Sequence, residues 1–212
     1  SMLIRIFEPT EGAAIKLNCK VTNGWKKEVV KGSKGNSHLR FELENGTLRL
    51  LTNIPLTYLL ENTEFYLTEK AYIVLSWDQA VEEDLSEVCE RFFQKTEEYW
   101  KIWVKHCSIP TLFQKDVIRS ALALKLHCYE DTGAILAALS TSLPEEVGNI
   151  RNWDYRYCWI RDAYFSLTAF RNLGHFEEME GFLRFLTEVA RDYSKHDVFP
   201  PVFRLDKSLP LP

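Results

Sequence analysis

Residues 151–162, with the sequence RNWDYRYCWIRD, combine flat aromatic rings with paired charges in one short stretch. The four rings belong to Trp153, Tyr155, Tyr157 and Trp159, and three arginines and two aspartates accompany them. Aromatic side chains can cover the apolar C–H faces of a pyranose ring with a large, rigid area. Aspartate accepts hydrogen bonds from hydroxyl groups, and arginine donates to hydroxyl oxygens through its planar fork. The stretch therefore has the residue types of a sugar-binding surface.

A purely structural interpretation of the same charges is also open. The apolar pattern that follows predicts that Trp159, Arg161 and Asp162 form the first turn of a helix. Asp162 would be favoured there by the helix dipole and by free backbone N–H groups. Buried and unpaired charges would each cost several kcal/mol. Arg161 and Asp162 could thus cap the helix and pair with Arg156 or Asp154, and the spacing alone does not decide.

The second half of the chain has the period of amphipathic helices. The sequence predicts four helices, at about 84–107, from a Thr111–Gln114 capping box onward, at about 159–173 and at about 176–193. Asp84 and Glu87 resemble a capping box for the first helix. The third helix is apolar nearly all round, which favours burial on most sides, and Gly174 suits its left-handed end. The predicted apolar face of the fourth helix consists of Met179, Phe182, Leu183, Leu186, Val189, Ala190 and Tyr193.

The first half, residues 1–77, contains short runs of β-branched and aromatic residues that are typical of strands. Leu39, Phe41 and Leu43 alternate with charged residues, as in an antiparallel sheet that is covered on one side. The dipeptide Asn45-Gly46 lies between two such runs and predicts a two-residue hairpin turn with positive φ at both positions.

The helical pattern also suggests an architecture. A buried helix that a tight glycine turn joins to an amphipathic helix is typical of an inner and an outer layer. Six such pairs would close a double-layered barrel and would need well over about 250 residues. Residues 84–212 supply about half of that number. We therefore expect an incomplete barrel.

Composition excludes several classes of protein. The net charge is −4 and no long basic run occurs, so nucleic-acid binding is not supported. No window reaches the roughly 18 consecutive apolar residues of a membrane span. The N-terminal residues lack the pattern of a signal peptide. The five scattered cysteines, without metal-ligand spacing, favour free buried thiols in a reducing, cytoplasmic location: Cys19, Cys89, Cys107, Cys128 and Cys158.

A resemblance to a known family adds to this interpretation. Residues 132–174 closely resemble glycoside hydrolase family 15, which contains glucoamylases, glucodextranases and some trehalases. The signature TSLPE followed by RNWDYRYCWIRDA carries the likeness. The resemblance implies a β-sandwich portion followed by the α-helical portion of an incomplete (α/α)6 barrel. Its predicted parts are the end of the β-sandwich at 1–78, a linker and connecting helix at 79–110, and the opening of the barrel at 111–212.

The resemblance also implies roles for individual residues. Tyr155, Trp159, Arg161 and Asp162 match positions that bind the non-reducing-end glucose in the family. Trp153, Asp154 and Arg156 lie in the same motif, and we expect them to support the loop more often than to touch the sugar. The implied activity is hydrolysis of α-glucosidic bonds, in α-glucan oligosaccharides or trehalose, with inversion and release of glucose. No cofactor or metal is expected.

Inversion needs a pair of carboxyl groups, and this chain lacks a match to the family's pair. One acid protonates the leaving oxygen and the other activates water, about 6.5–9.5 Å away. The family places both glutamates farther along the barrel, whereas the acidic residues Glu130, Asp131, Glu145 and Glu146 do not match those positions. We therefore expect part of a hydrolase that is inactive alone. A non-catalytic sugar- or protein-binding relative, or a barrel completed by another chain, stays an alternative. An exposed half-barrel face also predicts self-association.

Overall fold

The computed structural model describes residues 1–10, 12, 14–23, 28–140, 146–150, 152–193 and 199–208. Two compact units divide the chain, Ser1–Glu98 and Tyr99–Pro212. The helix Leu85–Lys105 runs through the boundary, within the predicted segment 79–110. Among the described residues no helix has the length and apolarity to cross a membrane.

The first unit is built mainly from antiparallel strands. Its strands are β1 (Met2–Phe7), β2 (Ala14–Lys16), β3 (Ser33–Lys34), β4 (His38–Leu43), β5 (Gly46–Thr52), β6 (Glu64–Tyr66) and β7 (Ala71–Trp77), and helix α1 (Leu56–Leu60) follows β5. Within the described residues, five strands form one sheet in the order β1-β7-β5-β4-β3, and β2 pairs with β6. Leu39 and Phe41 are buried on one face of β4, so the predicted alternation is confirmed.

The hairpin between β4 and β5 lies where the sequence predicts it, but its turn residues are different. Leu43 pairs with Gly46, so Glu44 and Asn45 form the turn rather than Asn45-Gly46. Positive φ occurs at Gly46 and not at Asn45. The Asp78 carboxylate accepts a hydrogen bond from the Thr47 N–H at 2.7 Å and would crowd any Cβ at position 46. Glycine is thus favoured by the positive φ, and a Cβ there would also displace the Asp78 carboxylate.

Helix α2 (Leu85–Lys105) opens with the predicted cap and leads into the second unit. The Asp84 carboxylate accepts hydrogen bonds from the N–H groups of Ser86 and Glu87, at 2.9 and 3.2 Å. The second unit then contains helix α3 (Gln114–Leu126), strands β8 (Cys128–Tyr129), β9 (Ala134–Ile135) and β10 (Cys158–Trp159), helices α4 (Ile160–Leu173) and α5 (Phe176–Asp192), and strand β11 (Val202–Phe203). Residues from all three later helices and from these strands form one apolar core.

The predicted start of α3 is wrong in detail. The helix begins at Gln114, and Phe113 precedes it with a left-handed φ of 57° and no side-chain cap. The Thr111–Gln114 pattern therefore does not act as a capping box. A polar pair at the right spacing is insufficient where the chain enters the helix through an αL residue.

Helix α4 ends at Gly174 with φ 81°, as predicted, but it is not buried on most sides. Ala163, Phe170 and Leu173 face the core, whereas Tyr164 and Phe165 are each 64% exposed. Their rings pack only edge to face on one another in the described contacts, with centroids 5.6 Å apart. The all-round apolar pattern thus leaves a solvent-facing aromatic pair in this chain.

Helix α5 is amphipathic and most of its predicted apolar face is confirmed, because Met179, Leu186 and Tyr193 also pack against the core, but the prediction missed Phe185. Phe182, Phe185 and Val189 are buried, at spacings of three and seven residues. Leu183 and Ala190, which were expected on the apolar face, are exposed. The assignments of Leu183 and Ala190 are therefore wrong, and an isolated exposed apolar residue of this kind is common on helix surfaces.

Candidate sugar-binding groove

A groove of about 620 Å³ lies along the aromatic stretch, and we call it the aromatic groove. It is lined by Trp153, Asp154, Tyr155, Tyr157, Trp159, Arg161, Pro201 and Val202. Five of these were candidates from the sequence, and Tyr157, Pro201 and Val202 were not. The candidates Arg156 and Asp162 do not line the groove but bond to residues that do. The volume falls in the range that small-molecule sites occupy.

Backbone hydrogen bonds hold the aromatic stretch against the segment that follows β9. The Ala138 N–H donates to the Tyr155 carbonyl at 2.7 Å, and the Ala137 N–H donates to the Tyr157 carbonyl at 3.1 Å. Cys158 then enters β10 and is fully buried. These main-chain bonds anchor the stretch, and several of its side chains line the groove.

Trp159 lies at the centre of the aromatic cluster. Its indole Nε1–H donates to the Asp154 carbonyl at 2.9 Å, which fixes the orientation of the ring. Tyr155 lies with its ring centroid 5.5 Å from that of Trp159 at a tilt of 37°, and Trp153 packs edge to face at 6.1 Å. These separations are typical of favourable aromatic pairs. The result is a preorganised apolar surface.

Asp154 and Arg156 form a two-pronged ion pair beside this surface. The Arg156 Nε donates to both carboxylate oxygens at 3.0 and 3.2 Å, and its Nη2 donates at 2.5 Å. The same carboxylate accepts the Arg156 backbone N–H at 2.9 Å. These hydrogen bonds raise the pKa of Arg156. Asp154 therefore serves as an organising residue, through its carboxylate for Arg156 and through its carbonyl for Trp159.

The charges at the start of α4 pair with each other rather than with Asp154 or Arg156. The Arg161 Nη2 donates to the Asp162 Oδ2 at 3.2 Å. The Arg161 side chain is 70% exposed and lines the groove, whereas the Asp162 side chain is half-buried. The pairing that the structural interpretation expected is not observed. A guanidinium has five donors, so Arg161 can also donate to a ligand in the groove.

The helical unit that contains the groove matches a family model. A model described as "Glycosyl hydrolases family 15" covers residues 112–201, which include the aromatic stretch and helices α3 to α5. This part of the chain belongs to glycoside hydrolase family 15. The resemblance that the sequence signature carries is thereby confirmed.

Relatives from several organisms support the family 15 assignment. A trehalase of Mycolicibacterium smegmatis is 38% identical over 151 residues, which is 68% of this chain and 22% of that protein. A trehalase of Mycobacterium tuberculosis is 37% identical over 152 residues, again 68% of this chain and 22% of the relative. One of Thermoplasma acidophilum is 38% identical over 115 residues, 54% of this chain and 19% of the relative. The match spans about a fifth of these proteins, and no solved structure matches significantly.

The acidic candidates that the structure describes, Glu130, Asp131 and Glu146, do not line the aromatic groove of this family 15 segment. Glu130 accepts hydrogen bonds from Tyr99 Oη at 2.9 Å and from Lys125 Nζ at 3.0 Å. The Lys125 and Tyr99 bonds lower the pKa of Glu130, which keeps it ionised and unsuited to act as a general acid. Glu146 accepts a hydrogen bond from the Asn149 amide at 2.7 Å, and Glu145 lies outside the described residues.

A second pocket, of about 410 Å³, is charged rather than aromatic. It lies along the β8–β9 turn and one face of α5, and its lining includes Glu130, Asp131 and Glu178. Two of its lysines are already paired, Lys125 with Glu130 and Glu178, and Lys207 with Glu188. It has none of the stacked rings that favour a sugar, so the aromatic groove is the better candidate site.

A buried polar cluster joins the ends of α2 and α3 to the start of α5. The Glu178 carboxylate is 5% exposed and accepts from Trp103 Nε1 at 2.8 Å and from Lys125 Nζ at 3.2 Å. Burial works to raise the pKa of Glu178, but these hydrogen bonds outweigh it and hold the pKa below its usual value. His175 stacks on Trp103 at 4.0 Å, with its Nε2 3.0 Å from the Cys107 Sγ, and burial lowers the pKa of His175. The residues of this cluster do not line the aromatic groove.

Proposed function

We propose that this chain carries the glucose-binding part of a glycoside hydrolase that acts on trehalose or on short α-glucans. The aromatic groove carries the proposal, because it joins an oriented indole, a tilted tyrosine and an exposed guanidinium inside a family 15 segment. An apolar ring face would lie on Trp159 and Tyr155, while Arg161 would donate to hydroxyl oxygens. Asp162 would orient Arg161 and accept a hydroxyl proton. The relatives bear the name trehalase, which favours trehalose among the α-glucosides.

The proposed architecture of the complete enzyme is a β-sandwich followed by an (α/α)6 barrel. Helices α4 and α5 would be an inner and outer pair, because only the left-handed Gly174 and His175 separate them. The exposed pair Tyr164 and Phe165 would then belong to the barrel interior. The five-stranded antiparallel sheet of the first unit would be part of the sandwich.

The proposed chemistry is hydrolysis with inversion, by a carboxyl pair that residues outside these 212 would supply. An acid and a base about 6.5–9.5 Å apart are needed on opposite sides of the scissile bond. Asp154, the carboxylate that lines the groove, is engaged by Arg156 and cannot also serve as a free acid. We therefore expect this chain to bind sugar without releasing glucose.

Calorimetric titration of the purified chain with trehalose and maltose tests the binding role. The test variant is Arg161→Ala, and the matched control is Arg171→Ala, which removes the same charge from an exposed position near the other end of α4. Loss of a hydrogen bond to a charged group is worth about 1.5–3 kcal/mol, so Arg161→Ala should weaken binding roughly 10- to 150-fold. The control should bind like the parent chain.

Two results would contradict this proposal. One is the absence of sugar binding by the folded parent chain, because the groove would then not be a usable subsite. The other is equal affinity in the Arg161→Ala and Arg171→Ala variants, because Arg161 would then have no role in recognition. A parallel assay for released glucose tests the expected inactivity. Glucose release that persists through every purification step would place the catalytic carboxylates within this chain.

A further inference from the structure

Strand β11 brings a residue from outside the aromatic stretch into the groove. Trp159 pairs with Val202, and Cys158 pairs with Phe203, in the antiparallel ribbon of β10 and β11. Side chains that are directly opposite in such a ribbon lie on the same face, about 4.5–5.5 Å apart at their Cβ atoms. Trp159 and Val202 are therefore immediate neighbours.

The two faces of this ribbon have different environments. Cys158 and Phe203 are 0% and 1% exposed and belong to the apolar core. Trp159 and Val202 are only half-buried, and both line the aromatic groove. Because side chains alternate along a strand, burial of Phe203 forces Val202 to the groove side. Val202 thus continues the apolar surface of Trp159 beyond the stretch 151–162.

Surrounding contacts fix the position of Val202. The Pro201 carbonyl accepts the Ile160 N–H at 3.0 Å, which ties β11 to the start of α4. Phe203 packs against the rings of Tyr193 and Phe199, with centroids 5.4 and 5.0 Å away. A β-branched side chain also has few rotamers. Val202 is therefore preorganised and cannot easily move away from a bound ring.

We propose that Val202 is a specificity-determining residue of the groove, where it contacts the apolar C–H face of a sugar ring that stacks on Trp159. This inference rests on the proposed sugar-binding function. A hydroxyl group directed at Val202 would be buried without a partner, which is unfavourable. The groove therefore selects pyranoses whose C–H face extends over both side chains.

Substitutions at position 202 separate the apolar contact from simple bulk. Val202→Thr keeps the shape and adds a hydroxyl, so the affinity for trehalose should fall about three- to tenfold. Val202→Trp fills the groove and should abolish binding. Val202→Ile keeps a β-branched apolar side chain and should bind within about twofold of the parent chain. Val147→Thr is the matched control, because Val147 is 90% exposed and does not line the groove.

Titration calorimetry with trehalose, together with the melting temperature of each variant, gives outcomes that differ clearly. Weaker binding by Val202→Thr with normal binding by Val202→Ile and Val147→Thr supports the inference. If Arg161→Ala loses affinity while Val202→Thr and Val202→Trp bind normally, Val202 has no role, although the proposed function stands. If the parent chain binds no sugar, the proposed function fails and the inference fails with it. If Val202→Thr fails to fold, normal trehalose binding by folded Val202→Trp would still overturn the inference.

Discussion

Two glycines with the same φ allow steric crowding to be separated from the strain of a positive φ. Gly133 and Gly148 both have φ of +83°. A Cβ at Gly133 would lie 2.2 Å from the carbonyl oxygen of Gly181 in α5, whereas a Cβ at Gly148 would meet nothing within 4 Å. We therefore compare Gly133→Ala with Gly148→Ala, which make the same chemical change at the same φ.

The expected magnitudes follow from these contacts. An alanine in the left-handed region costs about 1–2 kcal/mol at either position. At position 133 the turn between β8 and β9 must also move by about 1 Å, so that the new Cβ reaches ordinary van der Waals distance from the Gly181 carbonyl oxygen of the packed helix α5. Overpacking of this kind typically costs a further 1–3 kcal/mol. The free energy of unfolding should thus fall by roughly 2–5 kcal/mol for Gly133→Ala and by no more than about 2 kcal/mol for Gly148→Ala.

Urea unfolding followed by tryptophan fluorescence measures the difference. Four of the tryptophans, Trp100, Trp103, Trp153 and Trp159, lie in the second unit, so their emission reports on the unit that contains both glycines. With a slope of about 2 kcal/mol per molar urea, the midpoint should fall by roughly 1–2.5 M for Gly133→Ala. Equal midpoints for the two variants would refute the crowding at Gly181 and leave backbone strain as the whole effect.

Three further changes test the polar cluster and the exposed aromatic face. Lys125→Met leaves the buried Glu178 carboxylate without its charged partner and should destabilise the second unit by about 3 kcal/mol, whereas the exposed Lys105→Met should cost less than about 0.5 kcal/mol in the same urea experiment. Equal losses would contradict the pairing. Burial lowers the pKa of His175, so the unfolded chain takes up this proton first, and stability should fall as the pH drops below about 6.5. His175→Gln should lose the part of this decline that begins near pH 6.5, and an unchanged dependence of the urea midpoint on pH would count against this role of His175. Because Tyr164 and Phe165 are exposed, light scattering should show self-association of the parent chain, and Tyr164→Glu should reduce this self-association. A monomeric parent chain at high micromolar concentration would refute the prediction.

Strong local patterns were predictable from the sequence. The alternation around Leu39 and Phe41, the Asp84 cap of α2 and the glycine end of α4 all depend on neighbours within a few residues. The aromatic stretch could also be identified, because its composition is unusual and its motif is long. Five of its seven candidate residues line the groove, although their role in binding stays a prediction.

Features that depend on distant contacts could not be predicted in the same way. The β11 strand follows a proline pair that suggests only an end to helix, and its pairing with β10 crosses more than 40 residues of chain. The face of α5 that is buried depends on where Phe185 meets the core, and the amphipathic pattern permits more than one register. A period identifies a helix, but the packing partner decides which residues along it are covered.

The rate at which the buried Cys158 thiol is alkylated can report on local opening of the second unit. Its pKa is raised to about 11 by burial, and its side chain is fully enclosed beneath the ribbon that carries Trp159. An alkylating reagent reacts with the thiolate, so it can modify Cys158 only when the packing around this residue opens. The rate of modification of Cys158 therefore reports how often the residues beneath Trp159 become accessible to the reagent. Trehalose bound in the aromatic groove should lower the alkylation rate of Cys158. It should leave the alkylation rate of Cys89, in the other unit, unchanged.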